Sequence, residues 1–174
     1  MRKVVLLAIA VVSLSMLLGG TPAMAAGANT GFGFAAPDIA GFPTGEVALT
    51  GGGAFTTAGS VHAGGAFSCV AQVSQLPLAG CLAGEGVRWD AEALLQQTSF
   101  KCTGAATETL KSESTSDQIV VLRTDFYRAG DGNDESFTAN MIVSAVDIAP
   151  EITGVQNVWV QGVGCTTGLV HFSS

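Results

Sequence analysis

Two stretches of alternating residues, joined by a glycine- and aspartate-rich turn, leave one part of this chain little choice but a β-hairpin. Within residues 118–128 the even positions Val120, Leu122 and Phe126 are apolar, with Thr124 between them, and within 136–146 the odd positions Phe137, Ala139, Met141 and Val143 are apolar. Side chains alternate across a strand, so each apolar set lies on one face. Pairing Phe126 with Phe137 sets 124 against 139, 122 against 141 and 120 against 143, and both sets then fall on the same side. The connection Ala129-Gly130-Asp131-Gly132-Asn133-Asp134 supplies the glycines and asparagine that accept a positive φ in a tight reversal.

A hairpin with one apolar face needs something to cover it, and the rest of the chain offers more strands. Short runs at residues 46–49, 67–73, 86–90, 100–103 and 155–164 are punctuated by turn residues, with glycine and threonine in place of long straight side chains. This spacing predicts an all-β fold, an antiparallel β-sandwich or closed β-barrel of about 7–8 short strands with at most one short helix. The helix would lie at residues 91–97, where Ala91, Leu94 and Leu95 follow a cap at Asp90. A strand fits the same residues, because Val87, Trp89, Ala91 and Ala93 alternate with Arg88, Asp90 and Glu92.

The ends of the chain read differently from its middle. Arg2-Lys3, an uncharged apolar run over residues 4–18 and the small residues of Ala23-Met24-Ala25 follow the order of a secretory signal, with cleavage expected after Ala25. The apolar run is shorter than the roughly 20 residues that span a bilayer. No second run occurs and no cysteine adjoins the cleavage point, so a secreted, extracellular product with no stable membrane anchor is expected. Residues 26–44 are rich in Gly, Ala and Pro and read as an N-terminal arm, whose Phe32, Phe34 and Phe42 either dock on a partner or pack over the domain's open edge. The expected organisation is therefore a signal over 1–25, an arm over 26–44 and one disulfide-stapled β domain over 45–174.

Without the signal, five Lys and Arg face 14 Asp and Glu. Such an acidic domain is repelled by phosphate backbones, and no basic cluster offsets the repulsion, so nucleic acid is excluded as a partner. Four cysteines in an exported chain, Cys69, Cys81, Cys102 and Cys165, imply two disulfides. Pairing Cys69 with Cys165 and Cys81 with Cys102 would staple strand to strand, although three pairings are open. Zinc is not expected, because no close Cys pair or neighbouring histidine completes a ligand set.

Chemistry-bearing residues are few. Asp131, Asn133, Asp134 and Glu135 bring oxygen atoms together in the hairpin turn and are the candidate ligands for calcium. A helix-loop-helix calcium loop fails here, since Ser136 and Ile142 stand where glycine and a bidentate carboxylate belong. An acidic solvated turn explains the same residues. Arg123, Asp125 and Tyr127 share the polar face of the hairpin and form a candidate ligand-binding wall, or simply the solvated side of a sheet. His62 and His171 are the only histidines, and neither they nor Ser60 sit in a catalytic motif. Asp90 and Glu92 would lie about 7 Å apart on one strand face, a separation known from inverting glycosidases. Trp89, Trp159 and Tyr127 are a thin aromatic supply for a sugar cleft. The glycine runs at 51–53 and 64–65 lack the lysine and helix of a phosphate cradle, and no long-period repeat occurs.

Three runs carry a family resemblance: Gly84-Glu85-Gly86-Val87-Arg88-Trp89-Asp90, the stretch from Asp125 to Ser136, and Val155-Gln156-Asn157-Val158-Trp159-Val160. They resemble runs in small uncharacterised exported proteins of actinobacteria, a likeness that implies extracellular location and no activity. The sequence thus points first to a non-enzymatic secreted binding or structural module. A calcium-supported small-ligand-binding β-barrel, its mouth lined by Arg123 and Tyr127, is the alternative, and a secreted hydrolase the third reading.

Overall fold

The structure, a computed structural model, describes residues 29–128 and 135–174, the side chain of Glu135 excepted. No helix occurs among them, and eleven strands follow one another along the chain. They are β1 (Thr30–Gly41), β2 (Glu46–Phe55), β3 (Val61–Ala71), β4 (Arg88–Leu94), β5 (Gln97–Phe100), β6 (Lys111–Ser114), β7 (Ile119–Arg128), β8 (Glu135–Ser144), β9 (Val158–Val160), β10 (Gly164–Thr166) and β11 (Leu169–Ser173). Strands β1-β2-β3-β4-β7-β8-β9-β10 form an antiparallel ring, closed where Ala40 and Gly41 of β1 pair with Cys165 and Gly164 of β10. Strand β11 is added outside the ring, on the first half of β1. Of the two architectures the spacing allows, the chain adopts the closed barrel.

The β7–β8 hairpin has the register that its alternation predicts, with Phe126 opposite Phe137 and Val120 opposite Val143. Its even and odd apolar sets both face the lumen. Closure then demands that large side chains alternate with small ones, since eight strands leave room only for side chains inside. Phe32 and Phe34 of β1 lie opposite Gly53 and Gly51 of β2. Trp89 of β4 is wholly buried, and its Nε1–H donates to the Thr50 carbonyl at 3.1 Å. A Cβ on Gly51 would come within 2.7 Å of the Trp89 ring, and one on Gly65 within 1.9 Å of the Thr50 oxygen. The glycine runs therefore make room for the indole and for close strand approach.

Residues 30–41, expected in a loose arm, are instead a full strand of the barrel, and Phe32 and Phe34 are core residues. Glycine and alanine hid this strand because they carry little β-propensity; its phenylalanines fill the space those small residues leave. Residues 91–97 are not helical. Strand β4 runs on to Leu94 and β5 begins at Gln97, with a bulge between Ala91 and Ala93 that makes Glu92 the extra residue. The expected strand at 155–164 is two short strands, β9 and β10, joined by a turn in which Gly162 has φ of 80°.

The disulfides are Cys69–Cys81 and Cys102–Cys165, which corrects the expected pairing of Cys69 with Cys165 and Cys81 with Cys102. The reason is topological. Cys69 points into the lumen, where residues 73–81 fold over the barrel end and insert Val73 and Leu78 into the same core. Cys165 points outward, in one register row with Val121, Ile142 and Trp159. The β5–β6 hairpin and the loop holding Ile148 and Ala149 cover this row as a second core, bringing Cys102 to Cys165.

Candidate functional site

The lumen holds packed side chains rather than a ligand space. Phe34 and Trp89 lie 5.8 Å apart between ring centroids, and Phe67 and Phe126 5.0 Å apart. At one end Phe32 stacks on Phe172 and both meet Phe55 edge to face, and at the other Val73 and Leu78 close the core. Any site is consequently on the outside of the barrel or in its loops.

Arg123, Asp125 and Tyr127 project from the outer face of β7, because its even residues fill the lumen. They do not line a mouth. Arg88 of β4 lies over the Tyr127 ring at 4.5 Å and pairs with Asp90 at 3.1 Å, while Arg123 pairs with Glu92 at 3.0 Å. Asp90 and Glu92 are thus each held by an arginine, and the bulge breaks the two-residue repeat that would set them side by side. Asp125 stands in register between Asp90 and Thr138, and its Oδ1 is buried without a hydrogen-bond partner. Asp131, Asn133 and Asp134 lie outside the described residues, as does the side chain of Glu135. Among the described residues no group of three His, Cys, Asp or Glu is placed to hold a metal.

His171 sits in β11, over Gly33, and His62 near the start of β3. Two strands separate β11 from β3, so the two histidines are about 14 Å apart across the sheet. The Ser60 hydroxyl is 2.8 Å from that of Thr56, within the β2–β3 turn. Ser60, His171 and an aspartate are therefore not assembled into a triad.

A partly buried ionic cluster lies at the loop that joins β5 and β6. The Glu108 carboxylate accepts from Lys111 Nζ at 2.8 Å, from the Thr103 hydroxyl at 2.6 Å and from the backbone N–H of Cys102 and Thr103 at 2.6 and 2.8 Å. Burial works against its charge, but these hydrogen bonds outweigh it and lower the Glu108 pKa from 4.5 to about 2. Burial also opposes the charge on Lys111, and its bonds to Glu108 and Glu151 prevail and raise its pKa. Every oxygen of Glu108 is engaged in holding the loop next to the Cys102–Cys165 bond. This cluster is a structural clamp.

The outer wall of β11, β1, β2 and β3 is of another kind. One register row runs Leu169, Ala35, Thr50, Ala66, Arg88 across five strands, and the next runs His171, Gly33, Gly52, Gly64, Asp90. Tall residues stand at both ends of each row with only small ones between. The result is a trough about 19 Å across between β11 and β4. Within it lies a groove of about 630 Å³ lined by Ala35, Pro37, Ala48, Ala66, Ser68 and Leu169, among others, with no charged side chain in its lining. Leu169 forms one rim and is 82% exposed. The rim is held in place by Asn157, whose side-chain amide bonds both backbone groups of Gly168, at 2.7 and 3.1 Å.

The charge distribution repeats this division. Residues 47–84 contain no Asp, Glu, Lys or Arg, and neither do residues 152–174. From residue 29 to 84 only Asp38 and Glu46 are charged, whereas the segment 85–151 holds 12 acidic and five basic residues. The barrel therefore has a charge-poor sector around the groove, bounded by Arg88 and Asp90 of β4, and a charged one. The reading of the sequence by motif missed this wall, although its signal was present as two long runs without a charge. No protein-family model, no curated protein and no solved structure matches this chain.

Proposed function

We propose that this chain is an exported, non-catalytic docking module that works through the uncharged groove in the outer wall of β11, β1, β2 and β3. The observation that carries this reading is the coincidence of the groove with the charge-poor sector. Exported proteins keep charge spread over their surfaces for solubility, so a groove lined without it marks a surface that is covered in use. Support for export comes from the signal-like order of residues 1–25 and from the two disulfides, bonds that persist in oxidising compartments. The packed lumen argues against a carrier that encloses its ligand.

The test is titration of a neutral, polarity-sensitive dye such as Nile red into about 1 µM protein, where self-association is least. The wild-type protein should bind it with blue-shifted emission. Ala66→Arg plants a charge on the trough floor and should weaken binding at least about tenfold, with the melting temperature within about 2 °C, because Ala66 is exposed. Equal affinity in the variant would put the apolar site elsewhere and sink the reading.

A further inference from the structure

Resting on this docking face, we infer that its occupant is a second copy of the same chain, packed face to face about a two-fold axis running along β1 and β2. The face carries its own knob and its own socket. Leu169 rises from β11 with 82% of its surface exposed, and the groove floor sinks where Ala66 and Ser68 of β3 stand. Strands lie about 4.8 Å apart, so an axis midway between β1 and β2 exchanges β11 with β3. The partner's Leu169 then lies over Ala66 and Ser68, and the reverse contact follows by symmetry. This is the self-complementarity that an isologous interface requires.

Charge selects the same occupant. With 17 of the 19 charges beyond residue 28 confined to residues 85–151, pairing the groove faces leaves most of both acidic sectors outside the contact, with the Arg88–Asp90 pair at its rim. Their mutual repulsion is then screened by salt over about 10 Å. A charged peptide would find no ion-pair partner inside the groove, whose lining holds no charged side chain, and an anionic membrane would be repelled by the net charge of the chain, −7. The polar side chains of the groove are hydroxyls, Thr50, Ser68 and Thr167, each both donor and acceptor, and these can pair with their own kind across a two-fold.

Sedimentation velocity on the oxidised protein from about 1 to about 200 µM tests this. The expected result is a concentration-dependent rise from monomer to dimer mass that is not weakened by raising salt. Leu169→Glu and Ala66→Glu should each weaken association at least about 100-fold. Leu110→Glu, at an exposed leucine of the charged sector, should leave it unchanged. Leu169 is solvent-exposed, so its substitution leaves folding intact, which an unchanged melting temperature would verify. A monomer throughout the range, or a dimer that survives both substitutions, overturns the inference. So does a monomer that binds phosphatidylcholine vesicles through Leu169, which would make a lipid surface the occupant. A monomer whose dye binding is still lost in Ala66→Arg retains the docking face but not the second copy; a monomer that binds no dye removes both.

Discussion

Replacing Glu108 by glutamine should cost this fold about 3 kcal/mol near neutral pH, and the loss should fade in acid. The carboxylate is 9% exposed and takes four hydrogen bonds at 2.6 to 2.8 Å, two of them from the backbone beside the Cys102–Cys165 bond. Its pKa falls from 4.5 to about 2 in the folded chain, which corresponds to about 3 kcal/mol in favour of the folded, ionised state. Because the folded value is the lower one, this contribution is complete above pH about 4.5 and disappears as pH falls through about 2. Glutamine keeps the size but turns an acceptor into a donor against backbone N–H groups, and it leaves Lys111 with Glu151 alone. For a domain of this length the expected drop in melting temperature at pH 7 is about 6–12 °C. Calorimetry of both proteins from pH 7 to pH 2 is the assay, with the gap between them closing over the acid half. A gap under about 1 °C at pH 7, or one that stays constant down to pH 2, would refute the clamp.

Gly65→Ala should destabilise the barrel by about 3 kcal/mol or more, since the new Cβ meets the Thr50 carbonyl and the Gly51 backbone. Red-shifted Trp89 fluorescence should accompany it, because the same carbonyl accepts from the indole. Asp125→Asn should raise stability by about 1 kcal/mol in urea unfolding, by removing the charge of a carboxylate whose Oδ1 is buried and unpartnered and which stands in register with Asp90. Removing Cys102–Cys165 as a pair of serines should cost about 4 kcal/mol and removing Cys69–Cys81 about 3 kcal/mol, from sequence separations of 63 and 12 residues. Equal losses would mean that chain entropy does not set their ranking.

The parts of the fold that were legible in the sequence are those where side chains alternate by size and polarity. Residues 118–128 and 136–146 announce both their strands and their register, because a one-residue slip would turn Phe126, Leu122 and Met141 to the solvent. Strand β1 was not legible for the opposite reason. Its outward positions Gly31, Gly33 and Ala35 are small, so the alternation reads as a flexible arm until Phe32 and Phe34 meet Gly53 and Gly51. The disulfides were legible as a pair of bonds but not in their partners, which depend on Cys69 facing the lumen and Cys165 facing out. Among the candidate site residues, Arg123, Asp125 and Tyr127 share a face as expected, but that face is the outer wall of a filled barrel. The trough escaped motif reading because it is built from absences, small side chains over β1 to β3 and missing charges over residues 47–84 and 152–174.

The claim that the outer wall, and not the lumen or the polar hairpin face, is the working surface meets its most direct test in amide chemical-shift mapping with the neutral dye. Perturbations confined to residues 35–37, 48–50, 66–68 and 167–169 are the predicted result. Shifts centred on Trp89 and Phe126, or on Arg123, Asp125 and Tyr127, would contradict it.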